Sequence, residues 1–507
     1  SRTEIESEAI RNFCTANVGE EISVLRKMAL PDFIAGQQIT PEIIKNPASI
    51  LPMFTDFSDY IYSENFPGIN RIMTGMRANN QVDIQWELYK VGETGEHKAI
   101  RTLSSQSLRD VLKGTGKSCD LDAIYKLKAA YLRKQINIKV NQDSFAVFMN
   151  NFRSRNSFSR VTFECLAEEF EREFNFDLVE ATCELYDQHG LAALRVQDIE
   201  QYTGKGNEGP MLAFSVWNSS DVNGIISAYT DKGDGSRDLL NVGDFMIRAG
   251  ECSRICFPLS HSVGGVILQS NLAQNIPGNY IYNFMEFPQE ALVHAGRKKL
   301  EPSCFLPSSG EIVVDNEDQG FHVFASETKE SLLGKLLQDK MIVEDSGVDF
   351  LTDNAPGWVS SVYIDAYGFP VRSFLGKKTK NSQARAEWKT EIPEQGEYGV
   401  SIYKLDLDFR YQRQADSVAY YYTLEQGDYR ADIVMSFLRN GLQNIYLSDN
   451  LGRKEEYSYQ QQMPQCGWIQ VGVLPLAKGK VKLILHDKGA FPEQLVFVDA
   501  VKWVKKS

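Results

Sequence analysis

The chain has only six histidines in 507 residues, and they are scattered: His97, His189, His261, His294, His322 and His486. "PLSHSVGG" sets Ser260 and Ser262 beside His261, but adjacency in sequence is not the geometry of a triad, and no G-x-S-x-G elbow occurs. No G-x-x-x-x-G-K-[ST] sequence appears, and nucleotide cofactors are expected to have no handle. No apolar run approaches the roughly 20 residues that span a bilayer. "SRTEIESEAIRNF" has neither the basic start nor the apolar stretch of a signal peptide, which leaves export open. Basic residues are outnumbered as well. A formal net charge of -13 argues against a general nucleic-acid or anionic-membrane binder, because phosphate contact needs a basic surface.

The eight cysteines are spread along the whole chain, so they form no dense disulfide framework, and most read as small buried apolar residues. "ECSRICFPLSH" offers Cys252, Cys256 and His261 to a zinc ion, with Cys304 or His294 as a fourth ligand. A second pair at close spacing is missing. If this stretch is a strand, Cys252 and Cys256 face one side together, as core residues do.

What the chain has in quantity is apolar residues in regular patterns. The hydrophobic share is 43%, enough to bury a sizeable core, and the length suggests several domains. The pattern predicts an α+β multidomain protein. Residues 1–205 read as mainly helical: "DLDAIYKLKAAYLRKQI" and "RVTFECLAEEFEREFNFDLVEATCELYDQHG" space apolar residues by three and four. Within them "NNQVDIQWELYKVGETGEHKAIRTL" alternates around a glycine-containing turn and predicts a hairpin. Residues 206–310 read as a β-rich domain of short strands such as "MLAFSVWNSS" and "HSVGGVILQS". From 311 to 507, period-two stretches such as "GEYGVSIYKLDL" and "GWIQVGVL" predict a C-terminal antiparallel β-sandwich, jelly-roll-like.

Four pieces of that last part occur in an order that resembles the golvesin C-terminal-like domain, also known as the xanthan-lyase C-terminal domain. They are "IVVDNEDQGF", "ARAEWKTEIPEQGEYGVSIY", "GWIQVGVLPLAKGKVKLILHD" and "VFVDAVKWV". The resemblance spans nearly all of 311–507. It implies a β-sandwich carried by exported, often polysaccharide-related bacterial proteins, and it does not imply catalysis. Two segments depart from it: "DFRYQRQADSVAYYYTLEQGDYRADIVMSFLRNGLQN" is longer and more polar than the usual middle, and "SETKESLLGKLLQDKMIVEDSG" reads as an added helix.

Candidate ligand-binding residues in this part are Trp468, Trp388 and Tyr446. Aromatic faces suit sugar rings, although tryptophans beside alternating strands, Trp388 and Trp503 here, more often fill a core. In "GWIQVG", alternation sets Trp468, Gln470 and Gly472 on one face and Ile469 and Val471 on the other. Two acidic loops could hold calcium, which takes six to eight oxygens. One is "DKGDGSRD", with Asp231, Asp234 and Asp238. The other is "VVDNEDQGF", with Asp315 and Asp318. Neither has the alternating spacing of a calcium loop, and turns between strands use the same residues.

"LVEATCELYDQHGLAALRVQDIEQYTG" (178–204) is similar to the opening helices of a TetR-type DNA-binding domain. Its expected recognition helix is replaced by the glycine-broken "KGNEGPMLAFSVW", and its charge is acidic, so no nucleic-acid partner is expected. Two functions follow. One is a non-catalytic bacterial protein, secreted, periplasmic or on the cell surface, that binds glycan or a cell-surface partner through the sandwich. The alternative is a polysaccharide- or cell-wall-active hydrolase or lyase with its active site in residues 1–310. That enzyme needs paired carboxylates, for which the glutamates of "CLAEEFEREFNFD" are candidates.

Overall fold

The computed structural model describes residues 60–506 apart from 77–93, 115–120, 157–159, 204–208, 232–238, 285–288, 291–293, 309, 325–341, 345–356, 380–384, 406–416, 439–440, 460–466 and 487–493. It is a β-rich α+β protein with several antiparallel sheets. Two compact units are formed, one from residues 1–78 and 139–182, the other from 79–138 and 183–507.

The helical part begins with β1 (Tyr60–Tyr62) and runs through α1 (Ile69–Gly75), α2 (Gly95–Leu103), α3 (Leu108–Lys113), α4 (Leu121–Lys139), α5 (Gln142–Asn156), β2 (Arg160–Thr162), α6 (Phe163–Phe174) and α7 (Leu178–Asp187). Of the expected hairpin, residues 79–93 lie outside the described residues, and its far side, 95–103, is helical. Thr94 accepts from the His97 N–H at 3.2 Å, and the His97 ring accepts from the Thr94 N–H at 3.2 Å. This capping box satisfies two free donors at once, a local signal that the alternation reading overlooked. In α6, Phe163, Leu166, Ala167 and Phe170 are buried at helical spacing. Phe170 packs against Phe145 and Phe176 with ring centroids 5.9 and 5.8 Å away. Among the described residues, no helix is long and apolar enough to cross a membrane.

The expected second helix of the DNA-binding pattern is instead a strand. β3 (Leu194–Thr203) pairs antiparallel with β4 (Pro210–Asn218), so β-structure starts upstream of residue 206. "GKGNEG", 204–209, does spell G-x-G-x-x-G, contrary to the expectation of no nucleotide handle. It links two antiparallel strands, however, whereas a dinucleotide site needs a strand running into a helix. β5 (Gly224–Asp231), β6 (Leu239–Ile247), β7 (Cys252–Pro258), β8 (Gly265–Asn271), β9 (Asn279–Asn283), β10 (Gln289–Glu290) and β11 (Gly296–Lys299) follow. They complete a five-stranded sheet, β10-β3-β4-β7-β11, and a four-stranded sheet, β6-β5-β8-β9. Leu212, Phe214, Val216, Ile226, Ile255 and Leu268 belong to one buried cluster drawn from both sheets. Cys252 and Cys256 are buried on β7.

The remaining strands are β12 (Glu311–Val314), β13 (Phe321–Phe324), β14 (Ile342–Glu344), β15 (Trp358–Val362), β16 (Ser373–Lys378), β17 (Arg385–Ile392), β18 (Gly396–Lys404), β19 (Ser417–Gln426), β20 (Tyr429–Leu438), β21 (Gly441–Asp449), β22 (Lys454–Ser458), β23 (Gly467–Leu476), β24 (Gly479–His486), β25 (Leu495–Val498) and β26 (Val501–Lys505). They form a four-stranded sheet β12-β26-β18-β23, a seven-stranded sheet β13-β17-β24-β19-β20-β21-β22, and a third sheet β14-β15-β16-β25. Trp358, Trp388 and Trp503 join one core with residues of all three sheets. The long polar middle segment is the β19–β20 hairpin, which extends the larger sheet. The added helix expected from 326 onward lies mostly outside the described residues, and its described end is strand β14.

Arg372 fixes this β-structure to the preceding one. Its Nη1 donates to Ile364 O at 2.7 Å and its Nη2 to Pro277 O and Asn279 O at 2.7 and 2.5 Å. The guanidinium stacks over Tyr280 at 4.7 Å. A half-buried cation is tolerable here because backbone carbonyls replace its lost water.

Candidate functional site

The acidic stretch after β12 is a tight turn, as the turn residues suggested. The Asp318 carboxylate accepts from the Asp315 N–H at 2.8 Å, and the Asp318 N–H donates to Asp315 O at 3.0 Å. Asp315 Oδ1 accepts from the Asn316 N–H at 2.8 Å. Gly320 is required for a reason the sequence hides: a Cβ there would lie 2.5 Å from Lys389 O.

Asp315 points into the protein, where it meets Asp499 in the corner between β25 and β26. The two are 7% and 2% exposed, so no substrate reaches them. Asp499 Oδ2 accepts from the Tyr367 N–H at 3.0 Å, while Asp499 Oδ1 is buried without a hydrogen-bond partner. Burial raises the Asp315 carboxyl to about 8, with the charges of Asp318 and Glu317 adding to the effect. Burial and then the Asp315 charge hold Asp499 well above the carboxylate range. Two carboxyls pressed together out of water do not both ionise readily, so the pair keeps at least one proton at neutral pH. The pair is a clamp holding the 315–318 turn, the 499–500 corner and the loop at Tyr367. Trp388 is part of the same closure, since its Nε1 donates to Asp499 O at 2.8 Å.

Above the clamp, on the outer face of the four-stranded sheet, lies a cluster of three rings. Tyr403 on β18 stands directly opposite Trp468 on β23, with ring centroids 5.2 Å apart and nearly perpendicular planes. Tyr367 joins from its loop, 5.0 Å from Trp468 and 5.4 Å from Tyr403. All three are half-buried. Lys502 on β26 places its Nζ 4.5 Å from the Trp468 ring centre and pairs with Glu311 at 2.9 Å. Exposed Gln470 accepts from Lys506 at 3.2 Å. Half-buried rings beside amide, ammonium and carboxylate groups suit a ligand with both C–H faces and hydroxyls.

The register explains one departure from simple alternation. Trp468 and Gln470 do face outward, with Ile469 and Val471 buried. Gly472, expected beside them, faces inward: a Cβ there would lie 2.5 Å from Leu447 Cδ1. The cause is a bulge, in which Val400 pairs with Gly472 and Ser401 with Gln470, so Val471 is the extra residue and the phase flips after it.

Of the other expected site residues, Trp388 is 1% exposed and packs against Phe321. It is a core residue and is corrected as a ligand contact, because its register on β17 turns it inward. Tyr446 is exposed on β21, in a different sheet from Trp468 and Tyr403. Asp231 ends β5, and Asp234 and Asp238 lie outside the described residues. Among the described residues no three His, Cys, Asp or Glu side chains converge as a metal cage. Asp315 and Asp318 are engaged in the clamp and the turn. Tyr403 was legible, since it alternates with buried Ile402. Tyr367 sits in a loop with no periodicity to reveal it.

No protein-family model and no curated protein matches this chain. Solved structures with some likeness include a Paenibacillus xanthan lyase, 12% identical over 62% of this chain and 26% of that one, with a TM-score of 0.23. A Podospora anserina GH26-CBM35 β-(1,4)-mannanase is 9% identical over 39% of this chain and 28% of that one, TM-score 0.18. A Bacteroides uniformis β-glucuronidase is 10% identical over 62% of this chain and 30% of that one, TM-score 0.18. The match spans less than a third of each of those chains.

Proposed function

We propose that the C-terminal β-structure is a saccharide-binding module and that the chain is a non-catalytic, exported bacterial protein holding a polysaccharide or cell-surface component. The observation that carries this reading is the Tyr367–Tyr403–Trp468 cluster, half-open on an outer sheet face and bordered by Gln470, Lys502 and Glu311. Three large aromatics gathered half-exposed at one place form the kind of patch that marks an interaction surface. The golvesin-like order of segments agrees with it. The enzyme alternative lacks a comparable observation: Glu168, Glu171 and Glu173 lie exposed along α6, as a solvated helix face does. The test is a glycan array with the purified chain and with Trp468→Ala. We expect at least one saccharide class to bind, and its affinity to fall about tenfold or more in the variant, a loss of ~1.4 kcal/mol. Binding that Trp468→Ala leaves intact refutes the site.

A further inference from the structure

Arg195, near the start of β3, lacks what every buried or half-buried cation needs. Its guanidinium carbon stands 4.0 Å from the centre of the Phe369 ring. Its Nε is buried with no hydrogen-bond partner. Among the described residues its side chain makes no hydrogen bond and no ion pair. Arg372, a few residues along the same loop from Phe369, donates to three carbonyls. Arg254 pairs with Glu200. The charges that act on Arg195 are the hydroxyls of Tyr367 and Tyr280, with no carboxylate among them, and burial opposes its ionisation. A guanidinium stays charged at neutral pH all the same, and holding it half-buried without an acceptor costs free energy in the unliganded protein.

The location supplies the ligand class. Phe369 is two residues from Tyr367, and the Arg195 charge acts on the Tyr367 hydroxyl, so Arg195 stands near the ring that lies against Trp468. Lys502, over the Trp468 ring, is already neutralised by Glu311. The chain is strongly acidic as a whole, so long-range attraction does not gather anions here, and any anion must be selected locally. We propose that Arg195 receives the carboxylate of an acidic saccharide whose ring rests on Tyr367 and Trp468, which makes the ligand a uronic-acid-type glycan. This rests on the saccharide reading above and specifies its substrate class. A planar guanidinium offers two parallel donors to a carboxylate, which a neutral sugar hydroxyl cannot match.

The experiment titrates the full chain with glucuronate-, galacturonate- and mannuronate-containing oligosaccharides, each beside its carboxyl-reduced counterpart, at low and high salt. At least one acidic oligomer is expected to bind about tenfold or more tightly than its reduced form, with an advantage that shrinks as salt rises. Arg195→Met abolishes the difference between the acidic oligomer and its reduced form. Arg195→Lys, a milder change that guards against loss of folding, keeps part of it. Equal binding of acidic and reduced forms overturns the inference, as does an acid preference that survives Arg195→Met. If saccharides bind, depend on Trp468 and show no acid preference, only this inference fails. If an Arg195-dependent acid preference persists in Trp468→Ala, the ring platform fails and the carboxylate receptor stands. No saccharide binding at all refutes both.

Discussion

Replacing Asp499 with Asn tests the carboxylate clamp directly. The amide keeps an oxygen to accept from the Tyr367 N–H and turns the orphaned Oδ1 position into a donor aimed at Asp315. Asp315 titrates near 8 against an ordinary 3.8, and each unit corresponds to about 1.36 kcal/mol. The folded chain therefore keeps a proton between about pH 4 and pH 8 that the unfolded chain has lost. This contribution to stability is greatest below pH 4, declines as pH rises to 8, and is flat above. Its full span is up to about 6 kcal/mol, of the order of a domain's whole stability. Asp499→Asn removes the titration of Asp499 itself, which burial and the Asp315 charge hold well above the carboxylate range, so the decline flattens. We expect the variant to match the wild type near pH 5 and to exceed it by roughly 2–4 kcal/mol at pH 8.5. Urea unfolding at pH 5, 7 and 8.5 reads this out through the fluorescence of Trp388 and Trp503, which lie in the same core. A variant that loses stability with pH as steeply as the wild type would mean that the pair keeps no such proton.

Two further perturbations probe the scaffold. Lys128 is 1% exposed on α4, and burial lowers its ammonium to about 8; the folded state disfavours the charge. Lys128→Met should therefore stabilise the protein by up to about 3 kcal/mol at pH 7, with the gain disappearing as pH rises from 8 toward 10.5, where the lysine is neutral in both states. Urea melts at pH 7 and 10.5 check it, and a pH-independent gain would point to packing alone. Gly368 has φ +129, and a Cβ there would lie 2.1 Å from Val371 O and 2.9 Å from Asp315 Oδ2. Gly368→Ala should cost about 3 kcal/mol or more by forcing the loop to move; a melting temperature within a degree of the wild type refutes that.

Where side-chain period and strand length coincide, the sequence is a sufficient guide. Alternation around Val400, Ile402, Leu483 and Leu485 marks the β-rich C-terminal part, and the spacing of Phe163, Leu166 and Phe170 marks α6. Alternation fails where a local hydrogen bond or an extra residue intervenes. The Thr94–His97 capping box makes 95–103 helical, and the bulge at Val471 turns Gly472 inward. Trp388 and Trp468 each adjoin an alternating strand, yet one is sealed beneath Asp499 and the other lies open beside Lys502. Only the pairing partners, Leu483 and Phe321 for the first and Tyr403 for the second, separate them.

The loop "AYGFP" between β15 and β16 shows why the site itself was hidden. The Tyr367 N–H holds Asp499 while its ring joins the Trp468 cluster. Gly368 leaves the space that Val371 O and Asp315 require. Phe369 carries the Arg195 guanidinium. Three consecutive residues thus answer to five separate segments, and no spacing within the loop encodes any of them. Because the Tyr367 backbone is fixed by the same carboxylate that Asp315 opposes, the ring cluster inherits its placement from the clamp. The acidic turn after β12 therefore supports the ring cluster from beneath, through the shape it imposes on Tyr367.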